Sequence, residues 1–265
     1  MRHIIFGDIH GNYLGVESIL AKADYNPVED IIVCTGDYCD HFSEQITRST
    51  KKTLDLLCRL QAQSPDRTFF VLGNHDLWFR KWLMQGGLPE MIWYSQGGMQ
   101  TLSSYLGREP HYKHMDLEEA RDAISADHEY FLYSLLQYHI DNKIVCMHGG
   151  FPYELVDQVI IMQAVKKGLK LNIMQENDIL WDREFWQGGS VTKERFRDHF
   201  GNRYMITGHT QARYSRFYEP VPGPFIDKKN RKWINIDSPG LHAVIIHNDT
   251  YKIVGQNKEW GHADV

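Results

Sequence analysis

Short apolar runs that each end in a polar, glycine-containing turn recur along this chain, and they restrict its fold more than any other feature. RHIIF precedes GDIHGN, DIIVCT precedes GDYCD, RTFFVL precedes GNHD, NKIVCM precedes HGG and RYMIT precedes GHT. Each run is rich in β-branched or aromatic residues and too short for a helix, so each predicts a strand. Because the runs are almost continuously apolar, both faces of these strands are expected to be buried.

Segments with helical periodicity lie between the strands. Residues 13–24, 44–63 and 116–140 place apolar side chains at helical spacing, and Asn12 is suited to cap the first of these helices. The alternation of strands and helices in the first 80 residues predicts a parallel or mixed sheet covered by helices. Later, KWINID, LHAVIIH and TYKIVG follow one another with short turns and predict antiparallel strands. We therefore expect a mixed sheet or a pair of packed sheets.

Length and composition fit a single globular domain. The chain has 265 residues, of which 42% are hydrophobic and 24% are charged, enough apolar material for a core. We expect one domain over residues 1–265. An irregular insertion is expected at about residues 86–115, because that stretch contains two GG pairs and scattered aromatic residues without periodicity.

Charge and cysteine content restrict the partners and the compartment. The formal net charge is −5, which gives no broad attraction for nucleic acid. No apolar run approaches the ~18 residues that a membrane span requires, and no signal-peptide pattern is present. The four cysteines form no C-x-x-C pair and indicate free thiols in a reducing compartment. The sequence predicts a cytoplasmic protein with neither nucleic acid nor membrane as a partner.

Polar side chains follow five of the predicted strands. Ligands of open α/β sheets bind beyond the carboxyl ends of the strands, so these side chains are expected to meet at one edge. Carboxylates and imidazoles together suit a divalent metal such as manganese, iron or zinc, and the absence of thiolates disfavours a structural zinc site. Six of these residues could supply the ligands of two cations: Asp8, His10, Asp37, Asn74, His148 and His209.

The blocks GDIHG, GDYCD, GNHD, HGG and GHT, in this order, resemble the signature blocks of the calcineurin-like metallophosphoesterases. They span residues 7–210, about four-fifths of the chain. The resemblance implies an α/β fold, a β-sandwich of two mixed sheets flanked by helices. It also implies a phosphoesterase that uses two divalent metal ions, with manganese as the expected metal and iron, zinc or nickel as alternatives.

Two details resemble the phosphoprotein-phosphatase branch, which includes Ser/Thr protein phosphatases and bacterial diadenosine tetraphosphatases. GHTQ places Gln211 where many other members of the family carry a second histidine. GDYCD is similar to the G-D-x-x-D-R-G block of this branch, but Asp40 is followed by His41 and Phe42 instead of Arg and Gly. The missing arginine would bind a substrate phosphate, a role that His41 could fill only in part.

A further block suggests an anion-binding residue. DILWDREFW is similar to the L-W-x-R segment of bacterial members, in which the arginine contacts the substrate phosphate. Arg183 is therefore the candidate phosphate clamp, because a guanidinium group matches phosphate geometry. The alternative is a surface arginine that pairs with Asp182 or Glu184.

The resemblance, combined with chemical requirements, implies a role for each residue. The metal ligands would be Asp37 as the bridge, Asp8 and His10 at the first site, and Asn74, His148 and His209 at the second. A hydroxide shared by the two metals would attack phosphorus. His75 would protonate the leaving oxygen as general acid, and Asp40 would fix its tautomer and raise its pKa.

These inferences predict a phosphatase that hydrolyses phosphate esters at a binuclear metal centre, most simply a phosphomonoesterase similar to the Ser/Thr protein phosphatases. Its substrate would be a phosphoprotein, a small phosphate or a nucleotide. Hydrolysis of dinucleoside polyphosphates such as diadenosine tetraphosphate is the alternative. A non-catalytic scaffold is disfavoured, because every ligand is retained. An aromatic cluster could line a base-stacking groove or simply pack in the core or a lid: Trp78, Phe79, Trp82, Trp93 and Tyr94.

Overall fold

The computed structural model describes residues 1–41, 48–111, 114–150, 179–183, 194, 197–198, 200–210, 223–227, 231–238, 240–256 and 259–263. The described helices are α1 Tyr13–Lys22, α2 Thr50–Gln63, α3 Asn74–Gln85, α4 Met91–Trp93, α5 Met99–Leu106, α6 His114–Asp122 and α7 Ala126–Ser134. A π-helical turn, Tyr94–Gly98, joins α4 to α5. Among the described residues, no helix combines the length and the hydropathy needed to cross a bilayer.

The described strands form two mixed sheets. They are β1 Arg2–Phe6, β2 Asp30–Cys34, β3 Thr68–Phe70, β4 His139–Ile140, β5 Ile144–Cys146, β6 Tyr204–Thr207, β7 Phe225–Ile226, β8 Trp233–Asn235, β9 His242–His247, β10 Thr250–Gly255 and β11 Glu259–Ala263. The first sheet has the order β11-β10-β9-β1-β2-β3 and the second β4-β5-β6-β8-β7. The predicted class of fold, two mixed sheets with helices, is confirmed.

The first sheet combines the two kinds of strand that the sequence predicts. Strands β1, β2 and β3 are parallel, because helices α1 and α2 provide the crossovers between them. Strands β9 and β10 are antiparallel to each other, and β9 is antiparallel to β1. Asn248 and Asp249 turn the β9–β10 hairpin with φ of +49° and +64°, the left-handed backbone that two-residue hairpins favour.

The second sheet is built around parallel strands at its centre. Strand β5 pairs in parallel with β6, and β6 pairs in parallel with β8. The two-residue strands β4 and β7 flank them in antiparallel orientation. As a result, the carboxyl ends of β5 and β6 lie side by side, and the loops that follow them start from one edge.

Alternate residues of the strands fill two separate cores. In β1, Ile5 belongs to the cluster between the sheets, whereas Ile4 and Phe6 belong to the cluster beneath the helices. The same alternation separates the neighbouring residues of β2. Both faces of these strands are therefore buried, as their continuous apolar runs predict. The cluster between the sheets includes Ile5, Val33, Val71, Ile144, Ile206, Ile234 and Val244.

Side-chain caps fix the start of two helices that cover the first sheet. Asn12 Oδ1 accepts a hydrogen bond from the backbone N–H of Gly15 at 3.1 Å and begins α1, as predicted. Ser49 Oγ accepts from the N–H of Lys52 at 3.3 Å, so α2 begins at Thr50 and not at residue 44. Residues 42–47 lie outside the described part of the chain.

The single long helix predicted over residues 116–140 is wrong. Helix α6 ends at Asp122, and Ser125 caps a new helix, α7, by accepting from the N–H of His128. Leu135 leaves α7 with an extended ψ of 136°, and the chain continues into β4. Apolar side chains recur at helical spacing on both sides of Ser125, but its side chain bonds to the backbone and starts a new helix.

Residues 86–115 contain helices instead of the predicted irregular structure. The segment includes α4, the π-helical turn and α5, and α6 begins at its end. Trp93, Leu102 and Tyr105 are buried against the helical core. A kink at Gly97, with φ of +104°, breaks the helical period in the sequence and explains why the pattern does not reveal it.

Candidate metal centre

The structure brings the predicted site residues together at one edge of the two sheets. The loops that follow neighbouring strands are hydrogen-bonded to one another: the N–H of His10 donates to the Asp37 carbonyl at 2.8 Å, and the N–H of Gly208 donates to the His148 carbonyl at 2.8 Å. Gly208 is required here, because a Cβ at this position would overlap the carboxylate of Asp8. The loops therefore hold the polar side chains at fixed distances.

Three of the predicted ligands converge on one point. Asn74 Oδ1 lies 2.9 Å from His148 Nε2 and 2.9 Å from His209 Nδ1, and the two histidine nitrogens are 3.2 Å apart. Donor atoms at adjacent corners of an octahedron are about 3 Å apart when each is about 2.1 Å from the metal. The spacing of these three atoms fits a divalent cation.

The tautomer of His148 supports the same conclusion. Its Nδ1 lies 2.9 Å from the carbonyl oxygen of Thr35, which can only accept a hydrogen bond. The proton therefore sits on Nδ1, and Nε2 points a lone pair at the amide oxygen of Asn74. Two lone pairs that face each other at 2.9 Å repel unless a cation lies between them.

Asp37 connects this cluster to a second one. Its Oδ2 lies 3.5 Å from His148 Nε2 and 3.7 Å from His10 Nε2. Nδ1 of His10 donates to the carbonyls of Cys39 and Asp40, so its Nε2 also presents a lone pair. Two groups have donor atoms that all lie within 4.8 Å of one another, and both include Asp37: Asp8, Asp37 and His148; and His10, Asp37 and His75.

Burial places these groups in protonation states that a cation would change. Burial raises the pKa of both Asp8 and Asp37 to about 7. It lowers the pKa of His10 to about 3, and it also lowers the pKa of His148 and of His209. These three imidazoles are thus neutral bases, and nearby histidines only partly offset the cost of burying the two carboxylates. Both properties are those of a metal site.

The backbone at the site is held in an unusual conformation. His10, Asp37, Asp40 and His209 have φ of +44°, +53°, +60° and +70°, in the left-handed region. The other described non-glycine residues with positive φ are Asp24, Asn248 and Asp249, which lie in turns. Left-handed backbone costs about 1–3 kcal/mol for each such residue and is concentrated at functional sites.

The predicted pair of His75 and Asp40 is present. His75 Nδ1 lies 2.8 Å from Asp40 Oδ2, and both side chains are buried. Burial by itself would lower the pKa of His75, but the charges of Asp37 and Asp40 together raise it to about 9. Asp40 contacts Nδ1, so Nε2 is the ring nitrogen from which this pair could deliver a proton.

Two residues of the 86–115 segment donate hydrogen bonds to Asp40, and the sequence predicts neither contact. Trp93 Nε1 donates to Asp40 Oδ2 at 2.8 Å, and Thr101 Oγ1 donates to Asp40 Oδ1 at 2.5 Å. Both residues are 1% exposed or less. Gly97 allows this approach, because a Cβ there would lie 2.9 Å from Cβ of Asp40. The segment therefore positions the carboxylate that orients His75.

Asp76 supports the loop that carries Asp37. Its carboxylate accepts hydrogen bonds from the backbone N–H groups of Asp37 at 2.7 Å, Tyr38 at 2.9 Å and Gly73 at 2.9 Å. The side chain is completely buried. The motif GNHD makes this aspartate visible in the sequence, but its contacts with the neighbouring loop depend on the tertiary structure.

The two predicted phosphate-binding residues lie beside the loops that carry the predicted ligands. Arg183 Nε donates to Thr210 Oγ1 at 3.1 Å, directly after His209. Asp182 is buried, whereas Glu184 and Gln211 lie outside the described residues. His41 is buried and packs beside Gly11. Among residues that the sequence did not single out, Arg48 donates to the carbonyl of His10 at 3.0 Å.

The predicted aromatic cluster divides into two parts. Phe79, Trp82 and Trp93 are at most 3% exposed and pack on one another, so their alternative role as core residues is confirmed. Trp78 is instead partly buried and contacts both His75 and Trp181. It lies at the edge of the candidate metal centre.

Carboxylate, amide and imidazole side chains thus meet at the strand ends of the two sheets, and these donor types suit a divalent metal. The family model described as calcineurin-like phosphoesterase matches residues 1–213. The chain belongs to the calcineurin-like phosphoesterase family.

Curated relatives share only part of their length with this chain. A symmetrical bis(5′-nucleosyl)-tetraphosphatase of Wigglesworthia glossinidia brevipalpis is 34% identical over 77 residues, 29% of this chain and 25% of the relative. A probable serine/threonine-protein phosphatase of Encephalitozoon cuniculi is 35% identical over 74 residues, 28% of this chain and 15% of the relative. The matches therefore span a quarter or less of the length of these relatives.

Solved structures share the fold over nearly the whole chain. A provisionally assigned diadenosine tetraphosphatase has a TM-score of 0.57 and 19% identity, and covers 96% of this chain and 93% of its own. A cold-active protein-tyrosine phosphatase of Shewanella has a TM-score of 0.60 and 18% identity, with 97% and 78% covered. At this level of identity the likeness concerns the fold alone.

Proposed function

We propose that this chain is a phosphomonoesterase of the Ser/Thr-protein-phosphatase type that acts with two divalent cations. The observation that carries the proposal is the position of Asp37. Its carboxylate belongs to two groups of donor atoms, and the His75–Asp40 pair lies beside them. One carboxylate with two oxygens is suited to connect two cations.

The donor atoms suggest which residues would hold the cations. Asn74, His148 and His209 would hold one, and Asp8 and His10 would contribute to the other, with Asp37 between them. When bound, divalent cations supply Lewis acidity and lower the pKa of water, so that hydroxide is available near neutral pH. Manganese suits this mixture of oxygen and nitrogen donors, and iron, zinc and nickel are alternatives.

His75 would act as the general acid, and the residues around it prepare it for that role. Asp40 accepts from Nδ1, so Nε2 would carry the proton that passes to the leaving oxygen. Arg183, held beside His209 through Thr210, would bind a phosphate oxygen, and His41 would supplement it. The substrate is then a phosphorylated protein or a small phosphate.

The alternative is a hydrolase of dinucleoside polyphosphates. A relative named as a symmetrical tetraphosphatase supports this reading over 77 residues. A non-catalytic scaffold is disfavoured, because the donor atoms converge and His75 retains Asp40. We also propose a single domain in a cytoplasmic location with no role for nucleic acid or membrane. The four cysteines support the location, because free thiols are typical of a reducing compartment.

The test is a parallel assay of metal-reconstituted protein. Metal-free protein would be loaded with manganese, iron, zinc or nickel and assayed on p-nitrophenyl phosphate, a phosphopeptide and diadenosine tetraphosphate. We expect the phosphomonoesters to have a kcat/KM at least about tenfold higher, which corresponds to about 1.4 kcal/mol. A tenfold preference for diadenosine tetraphosphate would establish the alternative, and no turnover with any metal would contradict both.

A further inference from the structure

Two tryptophans outside the proposed ligand set form a continuous aromatic surface beside the candidate metal centre. The rings of Trp78 and His75 meet edge to face, with centroids 5.0 Å apart and planes at 77°. The rings of Trp181 and His209 meet in the same way at 5.5 Å and 89°. The two indoles are 5.3 Å apart at 55°. Trp78 and Trp181, here named the tryptophan shelf, thus extend from the proposed acid to a proposed metal ligand.

The shelf differs from the other tryptophans near the site in its exposure. Trp82 and Trp93 are 3% and 1% exposed and pack in the core. Trp181 is 36% exposed, although it is one of the largest apolar side chains of the protein. An indole with an accessible face beside a reaction centre can bind a ring of the substrate, because aromatic pairs attract one another in stacked and edge-to-face arrangements.

The segment that carries Trp181 is anchored on both sides. Ile179 and Leu180, which precede it, are each 1% exposed. The N–H of Gly150 donates to the Ile179 carbonyl at 3.2 Å, and Arg183 donates to Thr210 at 3.1 Å. The backbone that carries the indole is therefore fixed by buried neighbours before substrate binds, which lowers the entropic cost of binding.

We propose that the tryptophan shelf binds an aromatic ring attached directly to the scissile phosphate, so that the chain prefers aryl phosphate monoesters such as phosphotyrosine. This inference rests on the proposed phosphomonoesterase function and narrows its substrate class. In the hydrolysis a water oxygen bonds to phosphorus and the bond from phosphorus to the phenolic oxygen breaks. The phenolic oxygen takes the proton of His75, and the proton that the attacking water loses restores His75.

The position of the shelf favours an aryl ester over the other phosphate substrates. Trp78 contacts His75, which would protonate the leaving oxygen, so the shelf begins at the point where the leaving group begins. In an aryl phosphate the ring is one bond from that oxygen. In a dinucleoside polyphosphate a ribose and further phosphate groups separate the base from it, and in phosphoserine there is no ring.

The first test compares one aryl and one alkyl substrate in matched variants. The kcat/KM of phenyl phosphate and of O-phosphoserine would be measured for the manganese-loaded wild type, Trp181→Ala, Trp181→Phe and Tyr130→Ala. Tyr130 is 71% exposed on α7 and controls for the loss of a surface aromatic residue. For each substrate, dividing the kcat/KM of a variant by that of the wild type cancels the intrinsic reactivity of the leaving group.

We expect Trp181→Ala to lower kcat/KM for phenyl phosphate about tenfold and for O-phosphoserine by less than about twofold, mainly through KM. Trp181→Phe should recover most of the loss, and Tyr130→Ala should behave as wild type. Because Trp78 is partly buried, Trp78→Phe is the second variant, and it should show a smaller loss with the same selectivity.

A binding measurement tests the inference without turnover. Phenylphosphonate and methylphosphonate differ only in the ring and cannot be hydrolysed as esters. Calorimetric titration of manganese-loaded protein should show that Trp181→Ala weakens the binding of phenylphosphonate about tenfold and leaves the binding of methylphosphonate unchanged. Equal weakening of both ligands would overturn the inference.

Three further outcomes distinguish failure of the inference from failure of the proposed function. If Trp181→Ala lowers kcat/KM for diadenosine tetraphosphate and not for phenyl phosphate, the shelf binds a distant base and the inference is wrong. If this variant lowers kcat/KM for phenyl phosphate and O-phosphoserine equally, the inference is also wrong, while the phosphomonoesterase function stands. If the wild type hydrolyses neither ester, the proposed function fails, and the phosphonate titration still decides whether the shelf binds a ring.

Discussion

Two histidine–aspartate pairs in this molecule have the same contact distance but differ in burial and in surroundings. His75 Nδ1 lies 2.8 Å from Asp40 Oδ2, and His3 Nε2 lies 2.8 Å from Asp141 Oδ2. The first pair follows strands β3 and β2 at the candidate metal centre. The second links β1 of one sheet to the loop before β5 of the other, where His139 also contacts Asp141 at 3.3 Å.

The neighbours give the two aspartates opposite properties. Burial raises the pKa of Asp40, even though His75, Thr101 and Trp93 donate to it. Burial by itself would also raise the pKa of Asp141, but hydrogen bonds from His139, His3 and the N–H of Lys143 hold it well below its usual range. One pair is therefore suited to transfer a proton, and the other is a stable link between sheets.

The largest effect on kcat is expected from removing the carboxylate of Asp37, which lies beside the first pair. Asp37→Asn should lower kcat by at least about 1,000-fold, because both donor groups lose their shared charge. It should also abolish the rise in Tm that manganese produces in the wild type. Metal content by elemental analysis and thermal unfolding check both points, and full activity in this variant would rule out a shared carboxylate.

Exchanging the histidine of each pair should produce two different defects. His75→Asn should leave bound metal unchanged and lower kcat about 100-fold on alkyl phosphates but less than about tenfold on p-nitrophenyl phosphate, whose leaving group needs no acid. The matched variant His3→Asn should lower stability and leave kcat unchanged, because the contact of His3 with Asp141 links the two sheets. Loss of metal from His75→Asn would make His75 a ligand.

A smaller effect should follow from weakening the first pair without altering its two members. Trp93→Phe keeps a ring in the core but removes the N–H that Asp40 accepts. We expect kcat on alkyl phosphates to fall about tenfold with KM unchanged, consistent with loss of one hydrogen bond to a charged group. Trp82→Phe is the control, because Trp82 is equally buried and donates to the Gly87 carbonyl instead. Equal losses in both would indicate a packing effect alone.

The sequence predicted the first pair and could not predict the second. Asp40 and His75 each follow a strand, and parallel strands deliver the residues after them to one edge. The same rule predicted that Asp8, Asn74 and His148 would lie close together, and His148 is grouped with Asp8 and contacts Asn74. The organisation of residues 1–265 as one domain stays a prediction.

What the sequence could not reveal depends on contacts between distant segments. Trp93 and Thr101 reach Asp40 only because the segment around the kink at Gly97 folds back on it. Trp181 reaches Trp78 across about a hundred residues of chain. The two-residue strands β4 and β7 are too short to show a period, and their pairing with longer neighbours determines them.

The smallest effect is expected from the aspartate of the second pair, and its pH dependence sharpens the comparison. Since the pKa of Asp141 is lowered in the folded state, its ionised form stabilises the fold above the unfolded pKa of about 3.9, and this stabilisation declines as the pH falls below that value. Asp141→Asn should therefore lower the free energy of unfolding by about 1–2 kcal/mol at pH 7, and by less at pH 3.5. Urea denaturation at both pH values measures the difference, with kcat at pH 7 as a control that should not change. A destabilisation independent of pH would mean that the charge of Asp141 contributes nothing and that the pair holds the sheets together by shape and neutral hydrogen bonds alone.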